Sequence, residues 1–153
     1  MNLEELKKEI KFKWRVQSAN QYGASCVAYV DARDVQDLLD DVVGASFWQC
    51  KYSENKGNLF CSIGIDVDKD NACWVWKEDC GTESNVEKQK GEASDAFKRA
   101  AVMWGVGRFL YSKKIIKLPV KERNGKFVPY SEKTGRYVYD SDMITKWCNA
   151  LSK

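Results

Sequence analysis

Histidine is absent from the 153 residues, and proline occurs only twice. Without histidine there can be no Ser-His-Asp or Cys-His catalytic pair, no histidine metal ligand and no zinc finger that needs one. No G-x-x-x-x-G-K-[ST] loop is present, which argues against a P-loop ATPase. No apolar run reaches the ~18 residues of a membrane span, so no membrane partner is expected. The opening Met1-Asn-Leu-Glu-Glu-Leu-Lys-Lys is a charged helical pattern rather than a secretory signal. The chain has six cysteines but no C-x-x-C pair, which leaves zinc and thioredoxin-like chemistry weakly supported. The expectation is six free thiols in a reducing cytoplasm, with Cys50, Cys61, Cys73 and Cys80 buried in a sheet.

A composition of 44% hydrophobic and 31% charged residues describes a globular chain, expected to form a single domain over residues 1–153. The net charge of +3 decides nothing until the charges are placed. Leu3, Leu6 and Ile10 suggest a short amphipathic helix in the first eleven residues, before strands at 12–17 and 25–29 and a loop at 18–23. Asp31 reads as an N-cap for a helix over 32–43, with Val35, Leu38, Leu39, Val42 and Val43 at helical spacing and Gly44 as its stop. Strands at 46–54, 59–67 and 72–79, separated by polar turns, predict an antiparallel meander. Both of its faces carry apolar residues, so both are candidates for cover. Residues 85–110 form the longest helical pattern, with Ala93, Ala96, Phe97, Ala100, Ala101 and Trp104 in one apolar stripe. Beyond it come a strand at 118–123, an Asn124-Gly125 hairpin, strands at 127–130 and 137–139, and a helix over 140–151 with Met143, Ile144 and Trp147 inward.

Three groups of residues are candidates for chemistry. Asp66-Val-Asp68-Lys-Asp70-Asn71 imitates the start of a calcium loop, but it has Asn71 where the loop needs glycine and Lys77 where it needs a bidentate glutamate. A polar hairpin turn is the better reading; a nuclease metal held by Asp66, Asp68, Asp70 and Asp79 is the alternative. Gly105-Val-Gly107 lies inside a helical pattern and reads as a helix-end device. The basic residues are more informative. Lys88, Lys90, Lys98 and Arg99 avoid the apolar stripe, and Arg108 stands at its end. Residues 83–114 hold seven basic and four acidic residues, a balance of +3 that equals the whole chain's. Such a face suits a polyanion, although Asp95 and Arg99 also form an ordinary i,i+4 pair.

Trp76-Lys-Glu-Asp-Cys-Gly-Thr-Glu-Ser84, together with Glu87 through Ser94-Asp-Ala-Phe-Lys-Arg-Ala100 to Tyr111, resembles the signature of phage Sak-type single-strand annealing proteins. These are similar to the DNA-binding domain of the Rad-fifty-two/twenty-two recombination proteins. Trp14-Arg15, Tyr29-Val-Asp-Ala-Arg33 and Gly44-Ala-Ser-Phe-Trp48 fit the same family, so the resemblance runs from about Lys13 to Tyr111. It implies an α+β fold in which a three-stranded antiparallel meander packs on a long helix. Here that core is extended by N-terminal helix and strands and by a C-terminal hairpin plus helix.

The implied activity is ATP-independent annealing of complementary single-stranded DNA in recombination and repair, with no enzyme chemistry and no cofactor. The implied assembly is a homo-oligomeric ring or helical filament, in the host cytoplasm if the chain is phage-encoded. A phage exonuclease or a host single-strand-binding protein is a candidate further partner. Carried over by position, Lys98 and Arg99 match a Lys-Arg pair on the DNA backbone, and Arg15 matches a groove arginine. Lys88 and Lys90 fall where the family has basic residues. Three rivals remain: a double-stranded RNA-binding module, which shares a helix, three-strand, helix order; the metal-dependent nuclease; and a plain single-strand-binding protein that coats without annealing, as OB-folds do.

Overall fold

The computed structural model describes residues 1–82 and 88–153, with side chains for all of these but 88–90. After a short 3₁₀ turn at Leu3–Lys7 the chain forms β1 (Lys13–Asn20), β2 (Gly23–Tyr29), α1 (Ala32–Val43), β3 (Trp48–Asn55), β4 (Asn58–Asp66), β5 (Trp74–Cys80) and α2 (Lys88–Met103). A second 3₁₀ turn at Arg108–Ser112 leads to β6 (Ile116–Leu118), β7 (Val120–Arg123), β8 (Lys126–Ser131), β9 (Arg136–Tyr137) and α3 (Ser141–Leu151). The strands form three antiparallel sheets of three, ordered β1-β2-β6, β3-β4-β5 and β7-β8-β9. The chain divides into two compact units, residues 1–10 with 31–109, and residues 11–30 with 110–153.

In the first unit the meander β3-β4-β5 carries α2 over β4 and β5. Cys61, Ile63 and Ile65, alternating along β4, are fully buried, as are Ala96, Ala100 and Ala101 on α2. Alanines on that stripe let the helix lie close to the strands, and Phe97 and Trp104 are the large side chains buried along it. Each large apolar side chain buried this way contributes roughly 1.5–3 kcal/mol. The Trp104 indole N–H donates to the Ile63 carbonyl at 3.0 Å, and the Leu59 N–H donates to Glu92 at 3.2 Å, so both ends of α2 are tied to β4. On α1, Val35, Leu38, Leu39 and Val43 are buried at helical spacing, and Gly44 (φ 98°) ends the helix. Asp31 occupies the N-cap position but makes no side-chain capping bond.

In the second unit Trp14, Ala24, Cys26, Leu118, Val138, Ile144 and Cys148 form one core. The Trp14 N–H donates to the Thr145 hydroxyl at 3.0 Å and its indole N–H donates to Asn149 at 2.9 Å, which fastens α3 to β1. Asp140 caps α3 by accepting from the Asp142 and Met143 N–H groups.

Several sequence expectations are corrected. The N-terminal helix is a single 3₁₀ turn, and the supposed loop at 18–23 is mostly strand, since β1 and β2 pair as far as Asn20 and Gly23. Pro119, which has no N–H to give, separates β6 from β7 where one strand was expected. The long helix stops at Met103, and the expected start at residue 85 lies outside the described residues. Met143 is exposed, and Cys148 takes the inward place beside Ile144. Cys50 and Cys73 are exposed and Cys80 is half-buried, because α2 leaves β3 uncovered past Trp48 and Cys73 precedes β5. On the α2 face Cys61, Ile63 and Ile65 are fully buried, with Val67 and Val75 more than a third exposed toward its edge, and on the opposite face Trp76 lies over Gly64 and is also more than a third exposed.

Candidate nucleic-acid interface

On α2 the buried stripe leaves an opposite face on which Asp95, Lys98, Arg99 and Val102 recur at i, i+3, i+4 and i+7. Helical periodicity therefore puts Lys98 and Arg99 side by side at the solvent edge. Lys98 is half-buried, and the Arg99 side chain is 48% exposed. Arg99 is oriented by Asp95, with Nε donating to Oδ2 at 3.0 Å. The same carboxylate oxygen accepts from the Thr82 N–H at 2.9 Å and the Thr82 hydroxyl at 3.0 Å, just past β5. Partial burial works to raise the Asp95 carboxyl. The two Thr82 hydrogen bonds and the Arg99 charge outweigh it and hold the group below its ordinary range.

This arrangement depends on a close approach of strand end to helix. A Cβ on Gly81 would sit against the Glu92 carbonyl oxygen and 2.9 Å from the Ala96 nitrogen. Only a residue without a side chain lets Thr82 reach Asp95.

Arg108 serves its own helix. Its Nε donates to the Val102 carbonyl at 2.9 Å and Nη2 donates to the Met103 carbonyl at 3.2 Å, supplying donors to helix-end carbonyls that have no intrahelical partner. Lys77 adds a third such bond, from Nζ to the Met103 carbonyl at 3.2 Å, with its ammonium 4.5 Å from the Trp104 ring centroid. Sequence reasoning assigned Arg108 to DNA; the pattern that could have predicted a cap is its position a few residues past the end of the apolar stripe. Arg15 lies on β1 in the other unit, exposed, with its guanidinium 5.7 Å from the Tyr29 ring centroid. Lys88 and Lys90 belong to the first turn of α2, and their side chains lie outside the described residues.

The acidic loop is a turn held by its own side chains. Asp66 accepts from the Asp68 N–H at 3.2 Å, Asp68 accepts from the Asp70 N–H at 3.2 Å and from the Asn71 amide at 2.8 Å, and the Val67 N–H closes on the Cys73 carbonyl at 2.8 Å. The Asn71 hydrogen bond holds the Asp68 carboxyl below its ordinary value. Among the described residues no three Cys, Asp or Glu side chains converge as a metal site.

Residues 1–128 match the Rad52/22 family of double-strand break repair proteins, and the chain belongs to that family. Among curated proteins it is similar to two called single-stranded DNA-binding protein DdrA. One, from Deinococcus deserti, is 33% identical over 104 residues, covering 67% of this chain and 50% of the relative. The other, from Deinococcus radiodurans, is 34% identical over 104 residues, covering 67% of this chain and 48% of the relative. The chain thus spans about half the length of these relatives. No solved structure matches it.

Proposed function

We propose that this protein binds single-stranded DNA and anneals complementary strands without ATP, in recombination and repair. The observation that carries the reading is the outer face of α2, where Lys98 and Arg99 stand together opposite the buried alanines. The names of the two curated relatives support the choice of single-stranded DNA as the ligand.

Arg99 keeps its side chain in one orientation through the Asp95 contact, so less ordering is left to binding. Cations on a helix face neutralise phosphates and release counterions, which gives sequence-independent affinity that falls with salt. Contacts confined to the backbone leave base edges free to test a second strand. Pairing then supplies the driving force, and the protein's work is to suppress hairpins and screen strand repulsion. Arg15 is proposed as a further phosphate contact, whereas Arg108 acts first as a helix cap and adds charge near the end of α2. The full chain is proposed to act as one DNA-binding and self-assembling body, as a ring or filament.

The test is annealing of complementary labelled oligonucleotides without nucleotide, alongside binding to single-stranded DNA and duplex RNA. The expected outcome is accelerated annealing and preference for the single strand. Wild-type single-strand affinity in both Lys98→Ala and Arg99→Ala would refute the assignment.

A further inference from the structure

The most basic part of the chain is not α2. Residues 113–136 hold eight Lys and Arg against Glu122 and Glu132, a balance of +6, so the remaining 129 residues sum to −3. The register of β7, β8 and β9 distributes this charge unequally. Lys121 pairs with Val128, Arg123 with Lys126 and Tyr130 with Tyr137. Directly opposed residues share a face and alternate residues return to it. One face therefore carries Lys121, Arg123, Lys126, Tyr130 and Tyr137 with a single valine, and Tyr139 continues its line. Glu122 belongs to the other face, and Glu132, in the turn after β8, reaches Lys121 at 3.5 Å.

The rings on this face are held in place by the cations. The Lys121 ammonium lies 4.1 Å from the Tyr130 ring centroid. The Arg123 guanidinium lies 4.9 Å from that of Tyr137 and 5.9 Å from that of Tyr139, and its Nη1 is 3.2 Å from the Tyr139 hydroxyl. Tyr137 donates to the Glu122 carbonyl at 3.2 Å and meets the Tyr130 ring edge-on at 5.1 Å. Tyr139 is 62% exposed. Arg15, Lys126 and Tyr139 also line one cavity of about 460 Å³ in this unit, together with Phe127, Pro129 and Ile144. A lone exposed ring is unremarkable. Three rings interleaved with three cations, against a single carboxylate at the edge (Glu132, paired with Lys121 at 3.5 Å), are complementary to a polyanion that has flat faces of its own.

We propose that the outer face of the β7-β8-β9 sheet is a base-stacking platform for a single-stranded polynucleotide, centred on Tyr139 and flanked by Arg123 and Lys126. It rests on the single-strand-binding reading above and adds a second contact surface, one whose β9 and Tyr130 to Tyr139 lie past the end of the family match at residue 128. Stacking takes any base, because every base has a π-face.

The experiment uses the full chain with labelled oligo-dT, oligo-rU and an abasic phosphodiester of equal length. Wild type should bind oligo-dT more tightly than the abasic strand. Tyr139→Ala should lower oligo-dT affinity at least about fivefold and leave the abasic affinity unchanged, while Tyr139→Phe should keep wild-type affinity. Lys126→Ala should weaken both strands and reduce the salt slope by about 0.7. A loss of oligo-rU affinity equal to that of oligo-dT would extend the platform to RNA, and a loss confined to oligo-dT would restrict it to DNA. Unchanged oligo-dT affinity in Tyr139→Ala and in Lys126→Ala overturns the platform. If Lys98→Ala and Arg99→Ala lose affinity in that same series, the single-strand reading survives without it; a wild type that binds no single strand removes both. A Tyr139→Ala variant that loses self-association but not oligo-dT affinity would make the face a contact between copies, which also overturns the proposal.

Discussion

At Asp95 three hydrogen bonds meet on one carboxylate oxygen, and they join the end of β5 to α2 and α2 to Arg99. The same residue therefore has a stabilising role and an orienting one, and the two separate by experiment. Asp95→Asn should cost roughly 1 kcal/mol at neutral pH, since the site is partly exposed. Its carboxyl is held below its ordinary value in the fold, so its contribution is present above the unfolded pKa of about 3.9 and is lost as pH falls through the lower folded value. Melting of wild type and Asp95→Asn should differ at pH 7, and the difference should shrink as pH falls below the unfolded value and through the lower folded one. Arg99→Ala should share a small stability loss and lower DNA affinity as well, and Lys98→Ala should lower affinity; each should reduce the salt slope by about 0.7. Melting temperature and DNA affinity measured on one set of variants distinguish a phosphate contact from a simple i,i+4 pair. The thiols give a second check at this scale. All six are free, and Cys26, Cys61 and Cys148 are buried. Burial, and then the Cys50 and Cys26 neighbours, push the Cys61 and Cys148 thiols up to about 12. Alkylation of the native protein should modify Cys73 first, with Cys26, Cys61 and Cys148 reacting only on unfolding.

At the scale of elements, local sequence signals and long-range packing divide the fold between them. The Asn124-Gly125 and Lys56-Gly57 turns have positive φ at both residues, 52° and 78° in one and 52° and 77° in the other, the twist that two-residue hairpins require. The first is a strong local signal, and the hairpin was legible from it. The helix over 32–43 was equally legible, because its apolar spacing and Gly44 agree. Nothing local to Gly81 announces that the α2 backbone passes over it. Gly81→Ala should destabilise the protein by about 1–3 kcal/mol, because strand end and helix must part; denaturant unfolding measures it, and an unchanged midpoint would contradict the close approach. Trp14 couples β1 to α3 in the same non-local way, through partners 131 and 135 residues away. Trp14→Ala should cost about 3–5 kcal/mol, and Trp14→Phe, which loses the Asn149 bond but keeps much of the packing, should cost clearly less.

For the whole molecule, uncovered apolar surface bears on assembly. Val75, Trp76, Met103 and Ile115 are among the large apolar side chains left exposed in the single chain. Burying such residues between copies would gain about 25 cal/mol for each Å² of apolar surface removed from water. Light scattering with and without single-stranded DNA should therefore find species well above the 17.6 kDa of one chain. A monomer at every concentration, with DNA present, would refute the ring or filament.

The sequence by itself determined the period of each element, the turns that carry their own backbone chemistry and the family. It also determined that Lys98 and Arg99 leave α2 on the side away from its apolar stripe. These are properties of neighbours within a few residues, or of motif order along the chain. Tertiary structure alone decided that Arg108 is used on the carbonyls of α2, that Asp95 is shared between Thr82 and Arg99, and that Cys50 and Cys73 stay exposed. It also decided that three tyrosines and three cations of the C-terminal segment fall on one face, which follows from strand register. Register and helix placement are set by contacts between residues far apart in the chain, and no local pattern specifies which of several apolar or basic positions those contacts will cover.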